Sequence, residues 1–321
     1  MGDLLLEWIK YPFILGSDVS GEVVEIGSGI SRFKVGDRVL GHAVGPDKRS
    51  NRAREGGFQE YVVLRENLMS AIPDSLSYEK ACVLPLAVST AASGMFMKDY
   101  LGLQHPTPKT KKDSTGEVLL VWGGSTSVGS GAIQLAVGAG YQVITTASPK
   151  NFDYVESLGA SQAFDYRGPT AIADITTALK GKKCAGAIAI GEGSLEACIP
   201  IISASQGRKF IAQASLPAPP GGPPQGLGFM AFVAKFLWFN VSTTVQCWIR
   251  GVGKKFIWGS DLMANEVGAA IYENYLPEAL AAGLFVAAPK PRIVGHGLEH
   301  VQDALDTIVK GVSAEKLVVT I

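Results

Sequence analysis

The pattern of apolar and polar positions divides the chain into two parts that differ in period. Up to about Leu64, short runs that alternate between apolar and polar residues are separated by glycine-rich turns, which predicts an all-β, barrel-like module. From Tyr78 to Met97 the apolar residues follow a helical period. From Val118 onward, apolar runs of strand length alternate with helical segments, and this alternation predicts a doubly wound parallel sheet.

The same pattern places the individual elements. In the first part, strands are predicted at 21–26, 37–40 and 61–64. In the second part, strands are predicted at 118–122, 142–146, 185–190, 209–212 and 254–258, with helices between them. A helix at 265–282, a strand at 291–294, a helix at 298–309 and a strand at 316–321 complete the prediction. Segments 104–115 and 215–224, rich in proline, are predicted to be exposed loops.

The first strand of the predicted sheet runs into a loop of small residues, Gly123-Gly124-Ser125-Thr126-Ser127-Val128-Gly129. A helical pattern follows the loop, so backbone amides and the positive end of the helix would converge on one point, where a phosphate can bind. The loop departs from G-x-G-x-x-G, and an ordinary α/β turn is the alternative interpretation. The strand on each side favours a dinucleotide-binding βαβ unit.

The end of the second strand bears on the choice of coenzyme. Sites for NAD usually place an acidic residue there, which binds the ribose 2′-hydroxyl. In this chain Thr145-Thr-Ala-Ser-Pro-Lys150 contains no acid, and the next one is Asp153. Ser148 and Lys150 would suit a 2′-phosphate, although Lys150 alone could be a solvated surface lysine. The sequence therefore favours NADPH.

Composition excludes several classes of function. Lys+Arg and Asp+Glu are both 29, so the formal net charge is zero and no basic region suggests nucleic acid. The four cysteines are scattered, which indicates buried thiols in a reducing compartment, and the amino terminus does not resemble a signal peptide. The most apolar segment, 226–240, falls short of a membrane span and contains Lys235. We therefore expect a cytoplasmic protein without a membrane partner, in which this segment is a buried helix, a subunit contact or a pocket wall.

Several motifs together resemble the medium-chain dehydrogenase/reductase superfamily, most nearly its branch of zinc-independent quinone reductases and fungal trans-acting enoyl reductases. They begin with Tyr11-Pro-Phe-Ile-Leu-Gly-Ser-Asp-Val-Ser-Gly-Glu-Val-Val-Glu-Ile-Gly27, Phe33-Lys-Val-Gly-Asp-Arg-Val-Leu-Gly41, Gly57-Phe-Gln-Glu-Tyr61 and Leu84-Pro-Leu-Ala-Val-Ser-Thr-Ala-Ala92. The glycine loop, Ser148-Pro-Lys-Asn151 and Gly311-Val-Ser-Ala-Glu-Lys-Leu-Val-Val319 complete the set. The resemblance implies an α/β fold with a GroES-like β-barrel domain, 1–87 and 288–321, and a Rossmann NADP-binding domain, 88–287.

The resemblance also implies roles for individual residues. The diphosphate would be held by Ser125, Thr126, Ser127 and Val128. The adenosine 2′-phosphate would be surrounded by Ser148, Pro149, Lys150, Asn151 and Tyr166. Val312 and Ser313 would close over the coenzyme, Thr90 would contact the nicotinamide, and 90–97 would border the substrate.

Two departures from the family pattern affect these expectations. Zinc-dependent relatives have a metal-binding histidine where this chain has Gly16-Ser17-Asp18, and the segment 44–56, where their cysteine lobe would fall, has no cysteine. No metal site is expected, since the histidines do not cluster: His42, His105, His296 and His300. Relatives also carry several dozen residues of barrel strands before the first motif. An amino-terminally shortened barrel would leave strand edges unpaired, so another chain could cover them or activity could be poor.

The predicted function is reduction of an activated C=C bond by NADPH without zinc, as in enoyl reductases. Hydride would move to the β-carbon, and hydrogen-bond donors would stabilise the enolate. The substrate would be a small molecule or a carrier-bound acyl chain, with a polyketide synthase or a second subunit as possible partners. The alternatives are a quinone reductase, a catalytically impaired NADPH-binding relative and a zinc alcohol dehydrogenase. No general acid can be assigned.

Overall fold

The computed structural model describes residues 6–109, 114–217, 224 and 226–321. Its strands are β1 Asp18–Glu22, β2 Arg38–His42, β3 Met69–Ala71, β4 Glu117–Trp122, β5 Gln142–Ala147, β6 Gln162–Asp165, β7 Lys183–Ala189, β8 Gln206–Gly207, β9 Phe210–Gln213, β10 Gly253–Phe256, β11 Lys290–His296 and β12 Glu315–Thr320. Its α-helices are α1 Tyr78–Ala81, α2 Pro85–Phe96, α3 Ser127–Gly138, α4 Phe152–Ser157, α5 Ala171–Ala178, α6 Ser194–Ala204, α7 Leu227–Ile249, α8 Glu266–Ala269, α9 Leu276–Ala281 and α10 Val301–Val309.

The second part of the chain forms the predicted parallel sheet. Its strand order is β10–β9–β7–β4–β5–β6, and the short β8 also pairs with β7. The chain proceeds from β4 toward β6 on one side and then returns to β7 on the other. Ligands of doubly wound sheets bind where the strand order reverses, at the carboxyl ends of the strands. That point lies between β4 and β7.

Strand β6 is one of two members of this sheet that the sequence pattern did not predict, the other being the two-residue β8. It has four residues and pairs with β5 from Ile144↔Gln162 to Ala147↔Asp165. Only Ala163 and Phe164 within it are apolar, and both are half-buried. A short edge strand buries too little apolar surface to leave a clear alternation in the sequence.

The strands of the first part form an open arrangement. Among the described residues, β1, β2 and β3 make an antiparallel sheet, and β11 and β12 make a separate parallel pair. The predicted strand at 61–64 is irregular, and β3 begins at Met69 instead. Leu64 packs as part of a loop against a small core around Val39 and Met69. Segment 61–64 pairs with no described strand, so its alternation of apolar residues reflects packing on this core.

The two parts share one hydrophobic core. Helix α2 lies at its centre with Val88, Ala91 and Ala92 fully buried, and the same cluster contains Leu40 from β2 and Leu119 from β4. The domain boundary predicted between 87 and 88 falls inside α2. The division into 1–87 with 288–321 and 88–287 stays a prediction.

The helix predicted at 265–282 is interrupted. A π-helical segment, Ala270–Tyr275, separates α8 from α9. Pro277 stands in the first turn of α9. Because proline lacks an amide hydrogen and its ring crowds the preceding turn, it cannot continue a regular α-helix. The wider π turn accommodates it.

The structure differs from the expectations for segment 226–240 in length and, for the buried-helix alternative, in exposure. Helix α7 extends to Ile249 and has 23 residues, because apolar and small polar residues after Asn240 continue the helix. It is also exposed, since only 6% of its most apolar window is buried. By length and composition alone Gly228–Ile249 could cross a membrane, with a mean hydropathy of 1.2. Its inner face nevertheless packs on the parallel sheet, where Thr243 and Cys247 are buried.

Candidate coenzyme and active site

A cleft of about 2120 Å³ lies at the carboxyl ends of the central strands, between the sheet and the first part of the chain. Ligand pockets typically measure 300–1,000 Å³, so this cleft has room for a dinucleotide together with a second substrate. It is lined by every predicted site residue except one: Ser125, Thr126, Ser127, Val128, Ser148, Pro149, Lys150, Asn151, Tyr166, Val312 and Ser313. Segments more than 160 residues apart in sequence thus meet in one place.

The glycine loop is pressed against the neighbouring strand. The amide of Gly123 donates to Thr146 Oγ1 at 2.9 Å, and the amide of Gly124 donates to the Thr146 carbonyl at 2.9 Å. A Cβ atom on Gly124 would overlap Thr145 Oγ1, and one on Gly129 would overlap the carbonyl oxygen of Gly123. Glycine is required at both positions because backbone and strand approach too closely for a side chain.

The amino terminus of α3 presents backbone amides to the cleft. Thr126 caps the helix: its hydroxyl accepts from the Gly129 amide at 3.0 Å and donates to the Gly123 carbonyl at 2.8 Å. Within the described ranges, the amides of Ser125, Ser127 and Val128 have no protein acceptor. Free amides at a helix amino terminus are the donors that a diphosphate needs.

The Thr126 hydroxyl is engaged within the loop. Its hydrogen is already donated within the loop, so it shapes the turn and cannot be a free donor to the diphosphate. Ser130, one turn later, is similarly engaged with the Thr126 carbonyl and with Tyr154. The residues present fit a diphosphate through backbone amides, as the strand–loop–helix order indicated.

The far end of the cleft is lined by polar and cationic residues. Lys150 is exposed beside Ser148, and Arg167, which sequence reasoning missed, is stacked 5.0 Å from the centre of the Tyr166 ring. Among the described residues that line the cleft, those from Thr146 to Arg167 include no acidic side chain. Two cations and hydroxyl groups fit a 2′-phosphate. Arg167 could have been found only by recognising β6, because it follows that unpredicted strand.

Two polar links hold the carboxyl-terminal segment over the cleft. Asn151 Nδ2 donates to Ser313 Oγ at 3.2 Å. Lys316 Nζ lies 2.6 Å from Asp18 Oδ2 and also donates to the Val83 carbonyl. Asp18 in turn accepts from the Leu86 amide at 2.7 Å. These links position Val312 and Ser313, and the pairing of Asp18 with Lys316 spans nearly the whole chain, so no local signal reveals it.

A buried hydrogen-bonded chain lies beneath the cleft. His42 Nδ1 is 2.9 Å from Ser89 Oγ, which is 2.8 Å from the Tyr272 hydroxyl. Tyr272 donates its one hydrogen to the Pro85 carbonyl. Ser89 must then donate to Tyr272 and accept from a protonated Nδ1. Burial is the main cause that lowers the pKa of His42 to about 4, and Lys316 lowers it further against opposite effects of Asp18 and Asp47.

Thr90 is the predicted site residue that the structure does not bring into the cleft. It lies on α2, where its hydroxyl donates to the Leu86 carbonyl at 2.8 Å. A Cβ on Gly259 would meet the Thr90 hydroxyl, so this side chain is packed against the loop after β10. Leu86 and Ala87 line the cleft in its place, and most of 90–97 is buried in the core.

The histidines and the segment 44–56 are the places where a metal site would be sought in this chain. Among the described residues, no group of three or more His, Cys, Asp or Glu side chains could hold a metal ion. The segment is instead tied to the sheet domain by Asp47, which accepts from Arg49, Trp258 and Ser260. Burial raises the pKa of Asp47, but these hydrogen bonds and the Arg49 charge outweigh it, so the pKa lies well below its ordinary value.

Comparison with known proteins adds the family. The alcohol dehydrogenase GroES-like domain matches residues 2–74. Dehydrogenase pigH of Monascus ruber is 49% identical over 320 residues, which cover 100% of this chain and 86% of that protein. An alcohol dehydrogenase superfamily protein from Novosphingobium aromaticivorans superimposes with a TM-score of 0.68 at 23% identity, covering 98% of this chain and 83% of that one. The chain belongs to the medium-chain dehydrogenase/reductase superfamily.

This membership confirms the fold predicted from the sequence, a GroES-like part joined to a Rossmann sheet. A further member, trans-enoyl reductase himH of Aspergillus japonicus, is 41% identical over 319 residues, covering 98% of this chain and 82% of that protein. The chain is therefore an oxidoreductase of the medium-chain superfamily, whose enzymes use nicotinamide coenzymes.

Proposed function

We propose that the protein is an NADPH-dependent reductase of activated C=C bonds that works without zinc. The observation that carries this proposal is the cleft, which combines amides for a diphosphate with the cations Lys150 and Arg167. The relative himH, which carries the name trans-enoyl reductase, supports the reaction class.

The protein's part in the reaction is to bind and orient the coenzyme and the acceptor and to exclude water. When bound, the reduced nicotinamide would supply a hydride to the β-carbon of the acceptor. The amides of Ser127 and Val128 would fix the diphosphate, and Asn151 with Ser313 would hold the carboxyl-terminal segment over it. Val19, Phe58 and Ile190 give the cleft apolar walls, which strengthen the electrostatic stabilisation of an enolate.

We further propose a carrier-bound acyl thioester as the acceptor, delivered in the cytoplasm by a polyketide synthase. The volume of the cleft supports an acceptor longer than a simple enone, since a dinucleotide would fill only part of it. Reduction of such thioesters in trans requires that the acyl group enter from outside, and one side of the cleft opens to solvent beside exposed Tyr61. We propose no nucleic acid or membrane as a partner.

The coenzyme preference is testable through the two cations. In the double variant Lys150→Met, Arg167→Met, we expect the dissociation constant for NADPH to rise about 100-fold, because two charge-assisted contacts to the 2′-phosphate are lost. The constant for NADH should change less than about threefold, since NADH lacks that phosphate. Calorimetric titration of both coenzymes measures this. Lys180→Met, which removes an exposed cation outside the cleft, is the control, and an equal loss for NADH would refute the proposed phosphate site.

The reaction class is testable by the choice of acceptor. With saturating NADPH, we expect a crotonyl-type thioester to be reduced at least about ten times faster than a benzoquinone, because an enzyme discriminates acceptors by differential binding of their transition states and the relative himH carries the name trans-enoyl reductase. Coenzyme oxidation followed by absorbance, together with mass analysis of the saturated product, measures this. Faster quinone reduction would support the quinone reductase alternative, and coenzyme binding without turnover of either acceptor would support the impaired relative.

A further inference from the structure

We propose that the outer face of α7 is the contact surface of a symmetric dimer formed with a second copy of this chain. The outer face is defined by six residues whose spacing is four, three, four, four and three: Met230, Ala234, Leu237, Val241, Val245 and Trp248. All six are exposed, and Trp248 is 82% exposed. This spacing is the one by which two helices pack along a shared seam.

The face is continuous and carries no charge. Trp238 and Ile249, 72% and 70% exposed, widen it on one side. The only charged side chain within the helix, Lys235, lies outside the face and is paired with Glu192 at 3.7 Å. A face without charge can meet an identical face about a twofold axis without like-charge repulsion. It is therefore self-complementary.

The inner side of α7 is packed against the rest of the protein. The helix is therefore held in place, and its outer face stays exposed. Thr243 and Cys247 are buried on the inner side, Phe239 packs on the same core, and Lys254 Nζ donates to Thr243 Oγ1 at 2.6 Å. Insertion across a bilayer would break these contacts. A helix that lies in a lipid surface is normally rich in Lys and Arg, whereas α7 has one lysine.

The area is sufficient for a stable dimer. Two tryptophans and five aliphatic side chains of the face are 46–82% exposed, and an aromatic side chain alone buries roughly 150–250 Å² when it is covered, so a symmetric contact between two copies can reach the range of stable interfaces. Stable protein interfaces bury about 1,200–2,000 Å². The neighbouring edge strand β10 carries Lys254 and Lys255, which discourage pairing of strands, so the helix is the better contact.

Sedimentation of the full chain tests the dimer. We expect the wild type to sediment at about twice its mass of 33.8 kDa at micromolar concentration. The double variant Val241→Glu, Val245→Glu places charge at the centre of the face and should raise the dimer dissociation constant at least ~100-fold. Ile308→Glu, on exposed apolar surface of α10, is the matched control and should remain dimeric.

A second measurement does not depend on destabilising variants. In Val241→Cys, two copies related by a twofold axis near the centre of the face should form a disulfide under mild oxidation, whereas cysteine at Ile308 should not. The proposal is overturned by a monomeric wild type, by dissociation in Ile308→Glu in place of the α7 variant, or by flotation of monomers with phosphatidylcholine vesicles. None of these measurements depends on the reaction proposed above.

Discussion

Replacing Gly129 by alanine should abolish coenzyme binding, with a rise in the dissociation constant of more than about 100-fold. The new Cβ would overlap the Gly123 carbonyl oxygen and press on the Gly124 Cα at 2.7 Å. Both are backbone atoms of the loop, which is anchored to Thr146 and cannot yield without displacing the amides of Ser127 and Val128. A shift of about 1 Å in a preorganised anion site is enough for a loss of this size.

Gly131 provides the control in the same helix. A Cβ there would lie 3.6 Å from its nearest neighbour, the Ala87 carbonyl oxygen, which is an ordinary contact. Gly131→Ala should therefore bind coenzyme normally and gain up to about 1 kcal/mol of stability from helix propensity. Calorimetric titration of both variants, with circular dichroism to show that they are folded, measures the difference. Normal binding by a folded Gly129→Ala variant would contradict the assignment of this loop.

Stability should fall by about 2 kcal/mol between pH 7 and pH 5 because of His42 alone. The pKa of His42 is about 4 in the folded chain and 6.5 as the reference value, so the unfolded state binds the proton more readily. A depressed folded pKa gives stability that is complete above pH 6.5 and is lost as the pH falls toward 4. Urea unfolding at several pH values measures the free energy directly.

A nontitrating side chain isolates this effect. His42→Gln removes the titrating group, so its stability should change about 2 kcal/mol less than that of the wild type over the same range. If His42→Gln and the wild type lose stability in parallel, the histidine is not buried as a neutral group.

The sequence predicted those features whose signal is local. The turn from Gly123 to Gly129 was recognisable because strand, small residues and helix follow each other within a dozen positions. The placement of Ser148 and Lys150 directly after the second strand was recognisable for the same reason. In each case backbone geometry and residue type are fixed by neighbours along the chain, which is what periodicity reports.

Features that depend on contacts between distant residues were not predictable. Arg167 follows the edge strand β6, which has two apolar residues. The hydrogen-bonded chain that links His42, Ser89 and Tyr272 joins residues 230 positions apart. The exposed length of α7 was missed for another reason. Its outer face is as apolar as its inner face, so composition indicated burial although the fold covers only one side.

The shared core around α2 limits how this enzyme can be recombined with its relatives. Val88, Ala91 and Ala92 belong to one apolar cluster that also contains Leu40 from the first part of the chain and Leu119 from the parallel sheet. A chimera that takes residues up to 87 from a relative would pack α2 of this chain against side chains of the relative. The mismatched side chains would leave voids or overlaps. Successful shuffling would have to transfer the helix together with the side chains on both of its sides.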